Sequence, residues 1–228
     1  METRATALLR LLQLSDTAFP TGSFAHSAGL EAFVEAGRLK DAEGLKRLVG
    51  THLDALATSD CVALRAAHGA ESLAELVYID RLLLATKLPR ELRSASTATG
   101  GRFLASVAAL GAEGPLLEAY SRAVREDVAP GNMAVGCGIA APALGFEAGE
   151  ALLSYLYTAA ASLVAAGQKL IPLGGSAAQR TLYSLSGEIT MAVEKSGEVA
   201  VEDIYAFVPE VDVYSMLHER QRVRLYIS

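Results

Sequence analysis

Between Ala151 and Gln168 the chain carries no charged residue, and its apolar side chains occupy most of the helical circumference rather than one stripe. A helix that is apolar nearly all round has to be enclosed, either by other elements or by lipid. Lipid does not suit this one. Ser154, Thr158 and Ser162 dilute the stretch, and it falls short of the roughly 20 apolar residues that span a bilayer. Its many alanines favour helix and let neighbours approach closely. The stretch predicts a buried central helix starting at Glu147 and running to about Ala166, surrounded by other helices. The fold class that follows is all-α, a single-domain helical bundle over residues 1–228, with a C-terminal tail over 209–228 set off by Pro209.

The rest of the sequence supplies the surrounding helices. Leu8, Leu11, Leu12 and Ser15 recur at helical spacing, and Asp41 precedes a stripe of Leu45, Leu48, Val49, Leu53 and Leu56. Leu73, Leu76, Val77 and Leu82 to Leu84 continue the pattern. Further helices are predicted from about Glu91 to Ala112, from Pro115 to Val128, and from Ser176 to Lys195, with Pro115 in a first turn where its missing N–H costs nothing. Alternation of period two is scarce, and no Asn-Gly or Asp-Gly hairpin turn occurs. Val128 to Phe146 is uncharged but reads as broken, because Pro130, Pro142 and several glycines interrupt it. Loops are predicted at Asp16–Ser23, at Pro172–Gly175 and around Phe207–Glu210.

A net charge of −6 argues against nucleic acid as the main partner, since phosphate binding needs a basic face. Cys61 and Cys137 sit in apolar surroundings and form no C-x-x-C pair, so both read as buried free thiols in a reducing compartment. The N-terminal residues lack a cleavable signal pattern, and no membrane anchor is expected; the location expected is the cytoplasm.

Several patterns approach active-site motifs, and each lacks a necessary part. His218-Glu219-Arg220-Gln221-Arg222 opens like H-E-x-x-H, yet the second imidazole position holds Arg222, which repels a divalent ion. Gly131 to Gly138 has phosphate-loop glycine spacing, but Cys137 and Gly138 stand where Lys and Ser/Thr should grip phosphate and magnesium. Ala25-His26-Ser27-Ala28-Gly29 approximates a nucleophile elbow. A serine hydrolase using Ser27 with Asp212 and His218 is the enzyme alternative, although no buried strand precedes the turn. A helical interaction module of another pathway is a further alternative. No two of the four histidines stand at helical spacing, which leaves His26 and His218 as weak metal candidates only.

Three segments then line up with one family. The first is Leu12-Gln13-Leu14, a short loop through Pro20-Thr21-Gly22, and Phe24-Ala25-His26-Ser27-Ala28-Gly29-Leu30-Glu31. The second is Lys169-Leu170-Ile171-Pro172-Leu173-Gly174, followed by Gln179. The third is Ser215-Met216-Leu217-His218-Glu219, then Gln221, Arg224-Leu225-Tyr226 and Ser228. In order, spacing and length the chain resembles the UreF urease accessory proteins. It departs from them at Gly175, where Gln is usual, at Ile227, where Arg is usual, and at Gly100-Gly101-Arg102, a more flexible segment before the usual Gly-Arg.

The resemblance implies a non-enzymatic, all-helical, dimeric urease maturation factor. It would work in a GTP-dependent chaperone complex with the UreD/UreH accessory protein and the GTPase UreG, inserting nickel into apo-urease. No cofactor would be held tightly; nickel would pass through the complex. The residues expected to bind partners are Phe24, His26, Ser27, Arg102, Met216, His218, Glu219, Gln221, Arg224, Leu225 and Tyr226. The mixed basic and apolar tail from Val211 to Ser228 is expected to order on UreD/UreH at a cost of about 2–5 kcal/mol. Gly100–Arg102 and the face near His26 are expected at dimer or GTPase contacts.

Overall fold

The computed structural model describes residues 4–227, and among these it contains twelve α-helices, two single-turn 3-10 segments and no strand. In chain order the helices are α1 (Arg4–Ser15), α2 (Leu30–Glu35), α3 (Ala42–Thr58), α4 (Asp60–His68), α5 (Leu73–Thr86) and α6 (Arg90–Ala109). They continue with α7 (Pro115–Arg125), α8 (Met133–Ala143), α9 (Ala148–Leu170), α10 (Gly175–Ser184), α11 (Ser186–Ser196) and α12 (Pro209–His218). Local chemistry sets several boundaries. Asp41 caps α3 by accepting from the Gly44 N–H at 2.8 Å, and Ser72 caps α5 through the Glu75 N–H. Glu147 and Glu150 form a capping box at the head of α9. Pro115 and Pro209 stand in the first turns of α7 and α12.

α9 touches α1, α2, α3, α4, α8, α10 and α11. Its burial is not complete, and the expectation of enclosure on all sides is corrected for its first half. Leu153 is 44% exposed and Tyr157 46%, so one side of the early turns faces outward. The second half, from Ala160 to Gly167, is nearly all buried.

The uncharged stretch read as broken is a helix, α8. Its small residues are the reason it exists where it does. A Cβ at Gly138 would lie 2.3 Å from the Leu64 carbonyl oxygen of α4, and a Cβ at Gly100 of α6 would lie 2.0 Å from the Gly131 carbonyl oxygen. α8 therefore crosses α4 and α6 at backbone contact, and its glycines are a packing requirement rather than a helix break. Pro142 falls in the last turn, just before the chain leaves the helix at Leu144. The predicted helix 176–195 is two helices, divided at the fully buried Leu185. α4, unmarked by any strong stripe, was also not anticipated.

One buried carboxylate ties three of these elements together. Asp80 of α5 accepts from the Gly131 N–H at 2.7 Å, the Asn132 N–H at 3.0 Å, the Asn132 side-chain amide at 2.7 Å and the Tyr120 hydroxyl at 2.8 Å. It thereby fixes the turn that launches α8 against α5 and α7. Cys61 and Cys137 are free thiols, the first buried and the second partly so. No helix among the described residues is long and apolar enough to cross a membrane. Replacing Asp80→Ala strands several buried donors at once, and we expect a loss of about 3–5 kcal/mol in urea unfolding. A loss below about 1 kcal/mol would show that α8 is positioned by packing alone.

Candidate protein-docking site

The C-terminal segment folds back onto the short helix α2. The carboxylate of Glu31, in the first turn of α2, accepts from the Leu225 N–H at 2.9 Å and the Tyr226 N–H at 3.2 Å. The same group faces Nε2 of His218 at 3.3 Å, while Nδ1 of His218 lies 2.7 Å from Glu91 at the head of α6. Glu91 also pairs with Arg224 at 2.7 Å. Gln221 donates to Glu35, and the Ile227 N–H donates to the Ala25 carbonyl at 2.8 Å. Phe33 of α2 stacks on Tyr214 of α12, with ring centroids 4.0 Å apart. His218 is fully buried and Tyr226 nearly so. The described residues of the tail are thus ordered by their own chain. The expected ordering on a partner is corrected to that extent; Ser228 lies outside the described residues.

Two glycines of the opening segment are dictated by this arrangement. Gly29, at φ +84°, passes so close to α12 that a Cβ would sit 3.0 Å from the Ser215 N. Gly22, at φ +75°, leaves room for the Arg102 guanidinium, which a Cβ would meet at 2.5 Å. Arg102 reaches the Thr21 carbonyl at 3.4 Å. The middle segment arrives through Lys169, whose ammonium stands 6.0 Å from the Tyr226 ring centre. Gly167, two residues earlier, lets α9 close onto Leu45 of α3. Three segments far apart in sequence therefore converge on one region around Glu31, His218 and Tyr226.

What this region presents outward is apolar and basic. On α12, Val213, Met216 and Leu217 stand at i, i+3 and i+4 and are exposed, and Val223, Leu225 and Ile227 extend the same character along the tail. Arg220 and Arg222 are exposed beside them. The inner side of the tail is held by carboxylates while the outer side is left free for contact.

The sequence profile of the UreF family matches residues 39–186. The urease accessory protein UreF of Arthrobacter sp. (strain FB24) is 39% identical over 227 residues, which is 96% of this chain and 96% of the relative. That of Paenarthrobacter aurescens (strain TC1) is 35% identical over 98% of this chain and 99% of its own length. That of Corynebacterium glutamicum (strain R) is 32% identical over 96% of each. The chain belongs to the UreF family. It is a urease accessory protein, acting in urease maturation, and is not itself an enzyme.

The UreF signature residues divide into two groups. His218, Gln221, Arg224, the Leu225 backbone and Tyr226 are turned toward α2 and α6 and hold the tail in place. Met216, Glu219 and the Leu225 side chain are exposed on it. Phe24 is half-buried in the 3-10 turn Ser23–Ala25, and Phe19 tilts against Phe103 with centroids 6.0 Å apart. Ser27 is fully buried, and the hydrolase alternative fails on geometry. Both ring nitrogens of His218 face carboxylates, which leaves none to accept a serine proton, and Ser27 is preceded by a 3-10 turn rather than a strand. No group of three or more His, Cys, Asp or Glu among the described residues is arranged to hold a metal ion. His26 lines a groove beside α6; burial and then Arg102 lower its pKa, while Glu91 opposes them. Sequence reading missed Glu35 and Glu91 as tail anchors. Glu91 stands in a first turn, where ordinary dipole complementarity explains an acid equally well, and Glu35, at the C-terminal end of α2, carries no signal beyond its charge.

A separate apolar cavity of about 220 Å³ lies between α1, α6, α8 and α9. At its wall the Asp60 carboxylate binds Lys87 at 2.6 Å and the Tyr155 hydroxyl at 2.8 Å. Burial pushes the Asp60 pKa up, but Lys87 and the hydrogen bonds from Lys87, Tyr155 and Ser59 outweigh it and hold the carboxyl below its usual range. His52, largely shielded on the same wall, is pushed down to about 4, chiefly by burial, with Asp60 opposing and Lys87 assisting. Burial also raises the Cys137 thiol.

Two predictions follow from these contacts. Removing the anchor carboxylate by Glu31→Ala frees the tail, so tryptic cleavage after Arg220, Arg222 and Arg224 should accelerate at least about tenfold, equivalent to about 1.4 kcal/mol, while the helical body stays intact. Unchanged cleavage would place the hold elsewhere. The second concerns pH. His52 has a folded pKa below its unfolded value, so its contribution is complete above about 6.5 and is lost as pH falls toward 4; Asp60 adds its own loss below about 3.8. Allowing for partial solvent access, the His52 step amounts to about 2 kcal/mol, and His52→Gln should flatten unfolding stability between pH 6.5 and 4.

Proposed function

We propose that this chain is a non-enzymatic scaffold in a GTP-dependent chaperone complex that inserts nickel into apo-urease. In this reading it works as a single domain over residues 1–228, as a homodimer in the cytoplasm, bridging UreD/UreH and the GTPase UreG. Nickel is the cargo of the complex and not a resident cofactor of this chain. The observation that carries the reading is the gathering of all three UreF signature segments at one surface, in a chain that matches urease accessory proteins along almost its whole length.

The tail is the contact assigned to UreD/UreH. Its support is the exposed run Val213, Met216, Leu217, Val223 and Leu225, set on a rigid base by Glu31 and Glu91. Large apolar side chains with arginine at the rim match the anatomy of a protein interface. A surface already ordered avoids most of the cost of coupled folding, so binding should be tighter than for a tail free in solution. The region of Gly100–Arg102 and His26 is assigned to the dimer or GTPase contacts, supported by the seating of the Gly22 loop on Arg102.

The test is to mix the purified chain with UreD/UreH and UreG and measure the mass of the assembly. A discrete complex containing all three is expected. Met216→Glu with Leu217→Glu should weaken UreD/UreH capture at least about tenfold, since two exposed apolar anchors together contribute more than about 1.4 kcal/mol, with no change in thermal unfolding. Deletion of 211–228 should abolish capture. No complex with the intact chain would refute the function; capture unaffected by the double substitution would refute the tail assignment.

A further inference from the structure

Arg90, Ser94, Ala98 and Arg102 recur every four residues along α6, and all four are exposed. They form one bank of a groove of about 390 Å³ whose opposite bank is the tail, at Glu219, Arg224 and Ile227. Most of the charge in this groove is already committed. Glu91 holds both Arg224 and His218 at 2.7 Å. Among the described residues neither Arg90 nor Arg102 makes an ion pair; the guanidinium of Arg102 reaches the Thr21 carbonyl at 3.4 Å and lies near His26. The two arginines are separated by three turns of helix, about 18 Å. Between them the floor is Ser94, Ala95 and Ala98, too short to hold another backbone away.

We propose that this groove seats an acidic segment of a partner protein, lying along α6 with carboxylates near Arg90 and Arg102. Arginine favours carboxylates because its planar fork can bind both oxygens at once. A second copy of this chain fits poorly. A two-fold contact centred near Ser96 would bring Arg90 of one copy toward Arg102 of the other, and like charges oppose that pairing. A nucleic acid fits poorly as well, because Arg90 and Arg102 alone are too few cations to follow a phosphate backbone on a chain with a net charge of −6. The proposal deepens the scaffold reading and rests on it.

The test uses the full chain with purified UreD/UreH and UreG, comparing the wild type with Arg90→Glu/Arg102→Glu and Arg90→Lys/Arg102→Lys. The charge-reversed chain should lose affinity for one of the two partners at least tenfold. The lysine chain should fall between it and the wild type. Poly-L-glutamate added to the wild-type assembly should release the same partner, and rising salt should do so progressively. Assembly of the reversed chain within twofold of wild type overturns the groove assignment, as does a changed mass of the isolated chain, which would make the groove a contact between copies. Failure of the wild-type chain to assemble at all sinks the scaffold reading instead, so the two failures are distinguishable. A thermal midpoint equal to the wild type's shows that both exposed substitutions leave the fold intact, and the matched lysine chain supplies the readout independent of folding.

Discussion

The carboxylate of Glu31 does the work that a loop or a disulfide does in other small folds: it holds a chain terminus in place. It accepts two backbone N–H groups of the tail and faces the ring of a buried histidine, all from one position in the first turn of α2. Charge-assisted bonds to backbone donors are stronger than neutral ones, and their partial burial beside Tyr226 strengthens them further. Glu91 repeats the device from α6, binding the other side of His218 and Arg224. Between them these two acids convert a polar, arginine-rich segment into an ordered surface. The contact proposed for the tail stands on that base.

The helical body carries this surface, and its packing has two regimes. α4, α6 and α8 meet through small residues at backbone distance, as Gly138 and Gly100 show, and Gly167 lets the Leu45 side chain of α3 close onto α9. α1, by contrast, buries little beyond Ala7 and leaves Leu8, Leu9 and Leu12 exposed, above a cavity that the core does not fill. Tight crossings resist deformation, whereas an unfilled apolar space beside a lightly held helix tolerates movement. The buried Asp60–Lys87 and Asp80–Asn132 knots fix the rigid part from within.

Much of the fold was legible because its signals are local. The stripe from Leu45 to Leu56 gave α3, the uncharged run after Glu147 gave α9, and the scarcity of alternation excluded sheet. α8 was illegible for a physical reason: glycine and proline ordinarily end helices, and only the crossing partners, α4 and α6, show that glycine there is needed for contact. The split at Leu185 and the exposure of Leu153 and Tyr157 likewise depend on neighbours that no single sequence displays. At the site, the segment 24–31 and the tail were marked by their resemblance to UreF, and His218 was picked out with them. Glu31 closes the marked segment, but its hold on the tail was not visible, and Glu35 and Glu91 each carry only the ordinary signal of a charged residue. The tail's order was misjudged for the same cause: a mixed basic and apolar composition looks unfit for burial until the acids that neutralise its inner side are known.

The central claim is that the docking surface is prebuilt in the isolated chain by carboxylates on α2 and α6. Amide hydrogen exchange read at Leu225, Tyr226 and Ile227, without any partner present, tests it most directly. Slow exchange at all three, at rates well below those of the exposed Val223 amide, is the predicted result. Exchange at the rate of an unstructured peptide would show that the tail is free in solution and would contradict the account.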